Sequence, residues 1–411
     1  MGEPLEVLDG ARLLADLAAL GEIGATPRGG VDRVAFSPAD RAGRAWVAER
    51  LREAGLAVTT DAAGNTIARE PGTLGGLAPL ALGSHTDTVP DGGRYDGALG
   101  VLAALACVRA LRAADRRLRH PVEVINFVAE EATLGGGTLG SRAMAGLFDF
   151  GVLDKPAGDG RPVAAHLRDA GIDPAGLGAA ARPAGSLAAY LELHIEQGGI
   201  LAESGTPIGV VEGIVGIRRY TARFTGAANH AGTTPMAARR DALVAAADFI
   251  LDVRDIAVAQ GIVGTVGTLA IEPGAPNVIP GRVDVAVEIR ALDTAALDRG
   301  EQALRGAAAR GGGTLAPVSV KEPVASDPAV VAAAEVACRD LGLAYRRMPS
   351  GAGHDAMCVA AIAPEAMLFV PSRDGISHAP EEYTAPEDCI TGARVLLRTL
   401  LELDARLDAG A

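Results

Sequence analysis

The chain has 411 residues and a formal net charge of −13, with 49% hydrophobic and 22% charged residues, a composition that excludes a disordered chain and provides for two or three domains. An acidic balance argues against nucleic acid or anionic membrane as partner, and no apolar run reaches the ~18 residues of a membrane span. Cys107, Cys338, Cys358 and Cys389 stand apart without a C-x-x-C spacing, which points to reduced thiols of a cytoplasmic protein rather than to disulfides or a thiolate metal site.

The opening stretch MGEPLEVLDGARLLADLAAL is acidic and amphipathic and lacks a basic n-region. It predicts a helix over 5–20 and no signal peptide. A second helix is predicted over 38–55, with Ser37 as N-cap and Pro38 at the first helical position. Strand-like runs follow in LAVTTDAAGNTIARE, LAPLALGSHTDTV and PVEVINFVAEE, with a helix over 97–115 between the last two. AAYLELHIEQG (188–198) reads as another strand. Continuous apolar strands separated by helices predict an α/β domain with a largely parallel sheet covered on both faces.

From about residue 213 the pattern changes. Strand RRYTARFTG, helix 236–258, strands IVGTVGTLAIE and GRVDVAVEIRAL, helix 294–310 and strand TLAPVSVKE give the order β-α-β-β-α-β. Helix 327–341, strand EAMLFVP and a final helix over 386–408 return to the first pattern. The expected organisation is therefore one domain over 1–212 and 326–411, interrupted by a smaller one over 213–325.

Five of the seven histidines lie in loops rich in Gly, Pro, Ser or Thr: His85, His194, His230, His354 and His378. His85 and Asp87 are i and i+2 at a strand end and share a face, so the carboxylate could orient the imidazole as a ligand. Asp96 follows a glycine turn directly before a helix, where an N-cap is the alternative reading. Glu130 and Glu131 close an apolar strand, a costly place for two acids unless cations or protons compensate. Adjacent strand residues point to opposite faces, which suits one as metal ligand and one as proton carrier. Imidazole and carboxylate without thiolate suit Zn, Mn or Co, and a carboxylate shared between two ions makes a water-activating site. GGGTLG (135–140) fits G-x-G-x-x-G, but two glutamates stand where a pyrophosphate would approach. No P-loop, H-E-x-x-H or complete G-x-S-x-G occurs.

GSHTDTVPDGGRYDG, VAEE, GSRAMAG, ELHIEQG, NHAGTTPM, NVIPGRVDVAVEIR, SGAGHDAM and GISHAPEE, in this order across nearly the whole chain, resemble the hydantoinase/carbamoylase family of amidases. That family includes N-carbamoyl-L-amino acid hydrolase, allantoate amidohydrolase and β-ureidopropionase, within the aminoacylase and carboxypeptidase superfamily of binuclear zinc hydrolases. The resemblance implies a zinc-peptidase-like α/β domain, a mixed sheet with helices on both faces, interrupted by a lid through which the protein forms a homodimer. It implies two divalent ions, one held by His85 and His194, the other by Glu131 and His378, with Asp96 bridging. Asp87 would stand behind the ligands and Glu130 would be the general base. His230 would reach a neighbouring subunit's site and stabilise the oxyanion. Asn277 and Arg290 would grip a substrate carboxylate, and Gln197 with the Gly353–His354 turn would line the pocket.

The implied activity is hydrolysis of the C–N bond of a small carbamoyl or ureido acid. Allantoate is an alternative substrate. An aminoacylase or dipeptidase is a further alternative, against which ELHIEQG and NHAGTTPM weigh. A silent ligand-binding relative is another, against which the retained Glu130 and five ligands weigh. Two positions depart from the family pattern. The usual E-E-G-x-R-F is EEATLGGG here, and Ile217 replaces the glutamine common after GIVG. Both predict an altered substrate pocket.

Overall fold

The segment LAVTTDAAGNTIARE does not run straight. In the computed structural model, which describes residues 3–407, it folds into the antiparallel hairpin β1 (Ala57–Thr60) and β2 (Thr66–Glu70). The Asp61 carboxylate accepts from the amides of Ala63 and Asn65, both at 2.9 Å, and so closes the turn. β3 (Leu80–His85), β4 (Val122–Phe127), β5 (Ala189–Ile195), β6 (Ile208–Ile214), β11 (Val324–Ala325), β12 (Tyr345–Ser350) and β13 (Glu365–Val370) complete a nine-stranded sheet. Its order is β1-β2-β4-β3-β5-β13-β6-β11, with β12 against β6.

The sheet is mixed. β4-β3-β5-β13 are parallel, but β2 joins β4 and β6 joins β13 antiparallel. The expectation of a largely parallel sheet holds for these four central strands and gives way on both sides of them, where β2 and β6 run antiparallel to their neighbours. Because the four central strands are parallel, the chain leaves them at one common edge, the edge at which α/β sheets place their sites.

The helix after Asp96 spans Ala98–Ala113 and is buried along almost its whole length against β3 and β5. Gly100 lets it settle on the sheet: a Cβ there would lie 2.3 Å from the Leu193 carbonyl. The other predicted helices appear as Gly10–Gly21, Pro38–Glu53, Pro328–Asp340 and Pro386–Arg406, residue 408 lying outside the described residues. Ser37 caps the second through the Asp40 amide.

The chain divides at Glu212/Gly213 and Ala325/Ser326 into two compact units. In the inserted unit, β7 (Gly216–Thr225), β8 (Val263–Glu272), β9 (Arg282–Ala291) and β10 (Thr314–Lys321) form an antiparallel sheet of order β10-β7-β9-β8. Helices Ala242–Gln260 and Thr294–Arg310 complete the β-α-β-β-α-β order. The first starts six residues later than predicted, because residues 226–240 are spent on the loop carrying His230 and Asp241 supplies the N-cap. Among the described residues no helix is long and apolar enough to cross a membrane.

Candidate metal centre

His85 is the last residue of β3, and His194 the next to last of β5. Each ring is fixed by its own backbone. Nδ1 of His85 lies 3.0 Å from the Asp87 carbonyl and Nδ1 of His194 lies 2.9 Å from the Ile195 carbonyl. A carbonyl only accepts, so both Nδ1 atoms carry a proton, and in the neutral rings both Nε2 atoms present lone pairs. These face one oxygen, Oδ1 of Asp96, at 3.4 and 3.3 Å. The other oxygen, Oδ2, faces Nε2 of His378 at 3.4 Å, and that nitrogen lies 3.5 Å from a Glu131 oxygen.

Two groups of candidate ligands thus share one aspartate: His85, Asp96 and His194, and Asp96, Glu131 and His378. Asp96 does not cap the helix. The cap position is Gly97, with no side-chain cap bond, in a left-handed turn (φ +61°) whose Cβ would stand 2.4 Å from the His85 ring. Only glycine leaves the imidazole its place.

The residues fit a metal. Ligands about 2.0–2.1 Å from a tetrahedral ion lie about 3.3–3.4 Å apart, the spacing seen between these nitrogens and oxygens. The electrostatics agree. Burial alone would lower the His85 pKa, yet Glu130, Asp96 and Asp87 hold it well above the usual range. Hydrogen bonding to Asp96 pushes His378 up to about 9. The cluster attracts positive charge, for which protons and cations compete.

A third group, Glu192, His194 and His354, is of another kind. Glu192 is already filled by Ser84 Oγ at 2.8 Å, the Ala356 amide at 3.0 Å and the Tyr190 hydroxyl at 3.2 Å. It forms a packed layer beside His194, and the sequence reading missed it. Its signal was an acid two residues before a histidine in an apolar strand.

Glu130 and Glu131 correct the sequence reading. β4 ends at Phe127, so the pair stands in a loop beyond the strand, after Ala129 at φ +51°. Strand alternation therefore cannot assign their faces. Asp87 differs as well. Its carboxylate does not hold the His85 ring, lying 3.7 Å from Nδ1. It accepts instead from the amides of Glu130 at 3.2 Å and Glu131 at 3.1 Å. Two converging amides are a better match for a buried carboxylate than a ring nitrogen already held by a carbonyl.

Burial pushes the Glu130 carboxyl well above its usual range. His85 pulls it back, while Asp355, Glu131 and Asp87 add to the rise. Glu131 is pushed up to about 7, by burial first and then by Asp96. A Glu130 oxygen lies 3.7 Å from Nε2 of His85, which sets this carboxyl beside the cluster.

Gln197, also at positive φ, donates to Oδ2 of Asp96 at 2.7 Å. His354 departs from its expected place: the ring does not line an open pocket but is buried, edge-on to His194 at 4.5 Å, and bonded to Ser350 Oγ at 2.9 Å. Gly353 beside it is exposed.

His230, Asn277 and Arg290 belong to the inserted unit. The Asn277 carbonyl accepts from the Ala231 amide at 2.9 Å and so braces the His230 loop. Nδ1 of His230 accepts from the amides of Gly232 at 3.0 Å and Thr233 at 3.2 Å, so the ring proton sits on Nε2. Arg290 Nε donates to Glu288 at 2.7 Å, and Ile217 stands directly opposite Arg290 across β7 and β9.

The profile of peptidase family M20/M25/M40 matches residues 81–402. The chain is 42% identical to the N-carbamoyl-L-amino acid amidohydrolase of Geobacillus stearothermophilus over 97% of this chain and 99% of that one. It is 34% identical to the allantoate amidohydrolase of Bacillus subtilis over 93% and 95% of the two chains. A hydantoinase/carbamoylase family amidase from Burkholderia multivorans has the same fold, with a TM-score of 0.90 at 39% identity and coverage of 97% and 99%. With an extended match in sequence, a shared fold and a histidine–carboxylate cluster at the sheet edge, this chain belongs to peptidase family M20/M25/M40 and, within it, to the hydantoinase/carbamoylase group of metal-dependent amidohydrolases.

Proposed function

We propose that the protein hydrolyses the carbamoyl or ureido C–N bond of a small carboxylic acid, an N-carbamoyl-L-amino acid above all, with two divalent ions held at the Asp96 cluster. The observation that carries this reading is the division of Asp96, one oxygen toward His85 and His194 and the other toward His378. His85 and His194 would hold one ion, Glu131 and His378 the other, with Asp96 common to both. Zn, Mn and Co all suit this donor set. Bound there, such ions polarise a carbonyl and acidify water.

The chain's own groups do the rest. Glu130, whose carboxyl stands beside the cluster, takes a proton from the attacking water and delivers it to the leaving nitrogen. Asp87 holds the Glu130 and Glu131 amides, and Gln197 holds Asp96, so neither loop drifts during proton transfer. His230, with its proton on Nε2, is set to donate to a developing oxyanion. Asn277 and Arg290 bind the substrate carboxylate, Arg290 through a planar fork that lysine cannot reproduce. Gly353 borders the pocket, with His354 packed behind His194.

We assign the inserted unit to a homodimer. Val244, Leu251 and Val258 recur every seventh residue on one helix and are 60%, 55% and 79% exposed. The edge strand β8 exposes Val263 and Leu269 as well. An apolar helix stripe beside an open sheet edge favours a second copy. His230 then acts on the partner's metal centre. Mixing inactive His230→Ala with inactive Glu130→Gln should restore activity through hybrid dimers that hold one intact site. Proven subunit exchange without recovery would place the whole site in one chain. Four buried free cysteines favour a reducing, cytoplasmic setting.

Turnover on a panel of carbamoyl, ureido and acyl amino acids, each with its uncharged amide, tests the substrate. Acids should react and amides fail, and Arg290→Lys should cost about 1.5–3 kcal/mol in kcat/KM. With no arginine in EEATLGGG and with Ile217 opposite Arg290, carbamoyl amino acids should turn over slowly and acids bearing a less polar or bulkier amide should be preferred. Equal rates on acids and uncharged analogues, with a silent Arg290→Lys, would remove the carboxylate clamp.

A further inference from the structure

Glu382 is buried, 5% exposed, and stands 286 residues along the chain from Asp96. Its Oε1 accepts from the amides of Tyr95 and Asp96, both at 3.0 Å. Its Oε2 accepts from Ser377 Oγ at 2.9 Å, and the same hydroxyl lies 3.0 Å from Oδ2 of Asp96. Ser377 immediately precedes His378, which sits in a left-handed conformation at φ +56°. The carboxylate fits tightly against Gly93, where a Cβ would overlap it at 1.9 Å.

One side chain therefore grips the backbone of the shared aspartate with one oxygen and the His378 loop with the other. We propose that Glu382 is a positioning residue that sets the second ion position, Asp96, Glu131 and His378, relative to the first. This rests on the reading that the cluster holds two ions. The first position does not depend on the clamp in the same way. His85 and His194 stand on central strands, their rings fixed by the Asp87 and Ile195 carbonyls. His378 is 48% exposed in its side chain and stands in a loop, where its Nε2 meets the Gln197 amide at 3.3 Å.

The test is stepwise Zn²⁺ and Co²⁺ titration of the metal-free full-length protein against a competing chelator, with circular dichroism of each variant. Glu382→Ala should weaken the second ion by about 10–100-fold, the usual cost of losing a group behind a ligand, and the first by less than about threefold. Glu382→Gln keeps an acceptor for the two amides and should fall between, which separates the clamp from the loss of charge. Gly93→Ala displaces the carboxylate without altering it and should reproduce the alanine variant. Should Glu382→Ala fail to fold, Ser377→Ala removes only the loop side and should still weaken the second ion by about tenfold. Two ions bound with wild-type affinity in these variants would overturn the inference. So would equal losses at both positions with glutamine as damaging as alanine, since that is charge loss or general loosening. A wild-type protein that takes up no ion at this cluster would overturn the two-ion reading itself, before any variant is compared.

Discussion

Asp96→Ala should remove both ions together, and with them all measurable turnover. The expectation follows from the two oxygens facing different histidines, Oδ1 toward His85 and His194 and Oδ2 toward His378. Each position loses a ligand in a single substitution. Loss of a direct ligand should exceed the ~10–100-fold cost of a change behind one. Alanine also removes the carboxylate to which the Gln197 amide donates. Removing His85 or His378 instead should chiefly weaken one position. The check is metal content after dialysis against a mild chelator, alongside activity restored by Zn²⁺, Mn²⁺ or Co²⁺ in the wild type. Asp96→Ala protein that retains one ion at full affinity would show that Asp96 serves a single position. Full activity in verified metal-free wild type would end the metal reading altogether.

Glu130→Gln should leave metal content intact while kcat falls by at least ~10²–10⁴, the contribution of a positioned general base. Glutamine preserves shape and the amide held by Asp87, so the loop stays in place. What is lost is the carboxylate that accepts a proton. Glu131→Gln should behave differently, weakening the Asp96–Glu131–His378 position because its oxygen faces His378 at 3.5 Å. Kinetics and metal analysis on the same two preparations separate the roles. If Glu131→Gln keeps both ions and Glu130→Gln loses one, the assignments are exchanged.

Much of the architecture was legible because apolar runs and turn residues agree along the chain. The β-α-β-β-α-β order of the inserted unit and the helix after Asp96 follow from periodicity alone. β6 and β12 escaped notice, the one holding two glycines and the other reading YRRMPS, because neighbouring strands rather than local preference make them extended. At the centre, His85 could be read as a strand-end residue, whereas His194, grouped with the loop histidines, stands inside β5. Glu130 and Glu131 could not be oriented, because a left-handed Ala129 intervenes where alternation assumes a continuing strand. Asp87 was paired with the nearest histidine, whereas folding brought it the amides of a different strand's loop. Glu382 shows the same limit. The last residue of GISHAPEE, it reads as a loop acid until the fold carries it to the amide of Asp96.

The junction of the two units bears on how such a chain can fold. At the base of the inserted unit, Gly213 pairs with Ala325 and Ile214 with Val324, and just beyond it the Ser326 amide donates to the Glu212 carbonyl at 3.2 Å. Closing a flexible loop of about 110 residues costs roughly 4 kcal/mol in chain entropy on the logarithmic rule. A segment that has already folded, with its ends zipped, presents the outer unit with a connection no longer than a tight turn. The long excursion between β6 and the Pro328–Asp340 helix thus carries little entropic penalty for the sheet whose chain it interrupts, provided the inserted segment organises first.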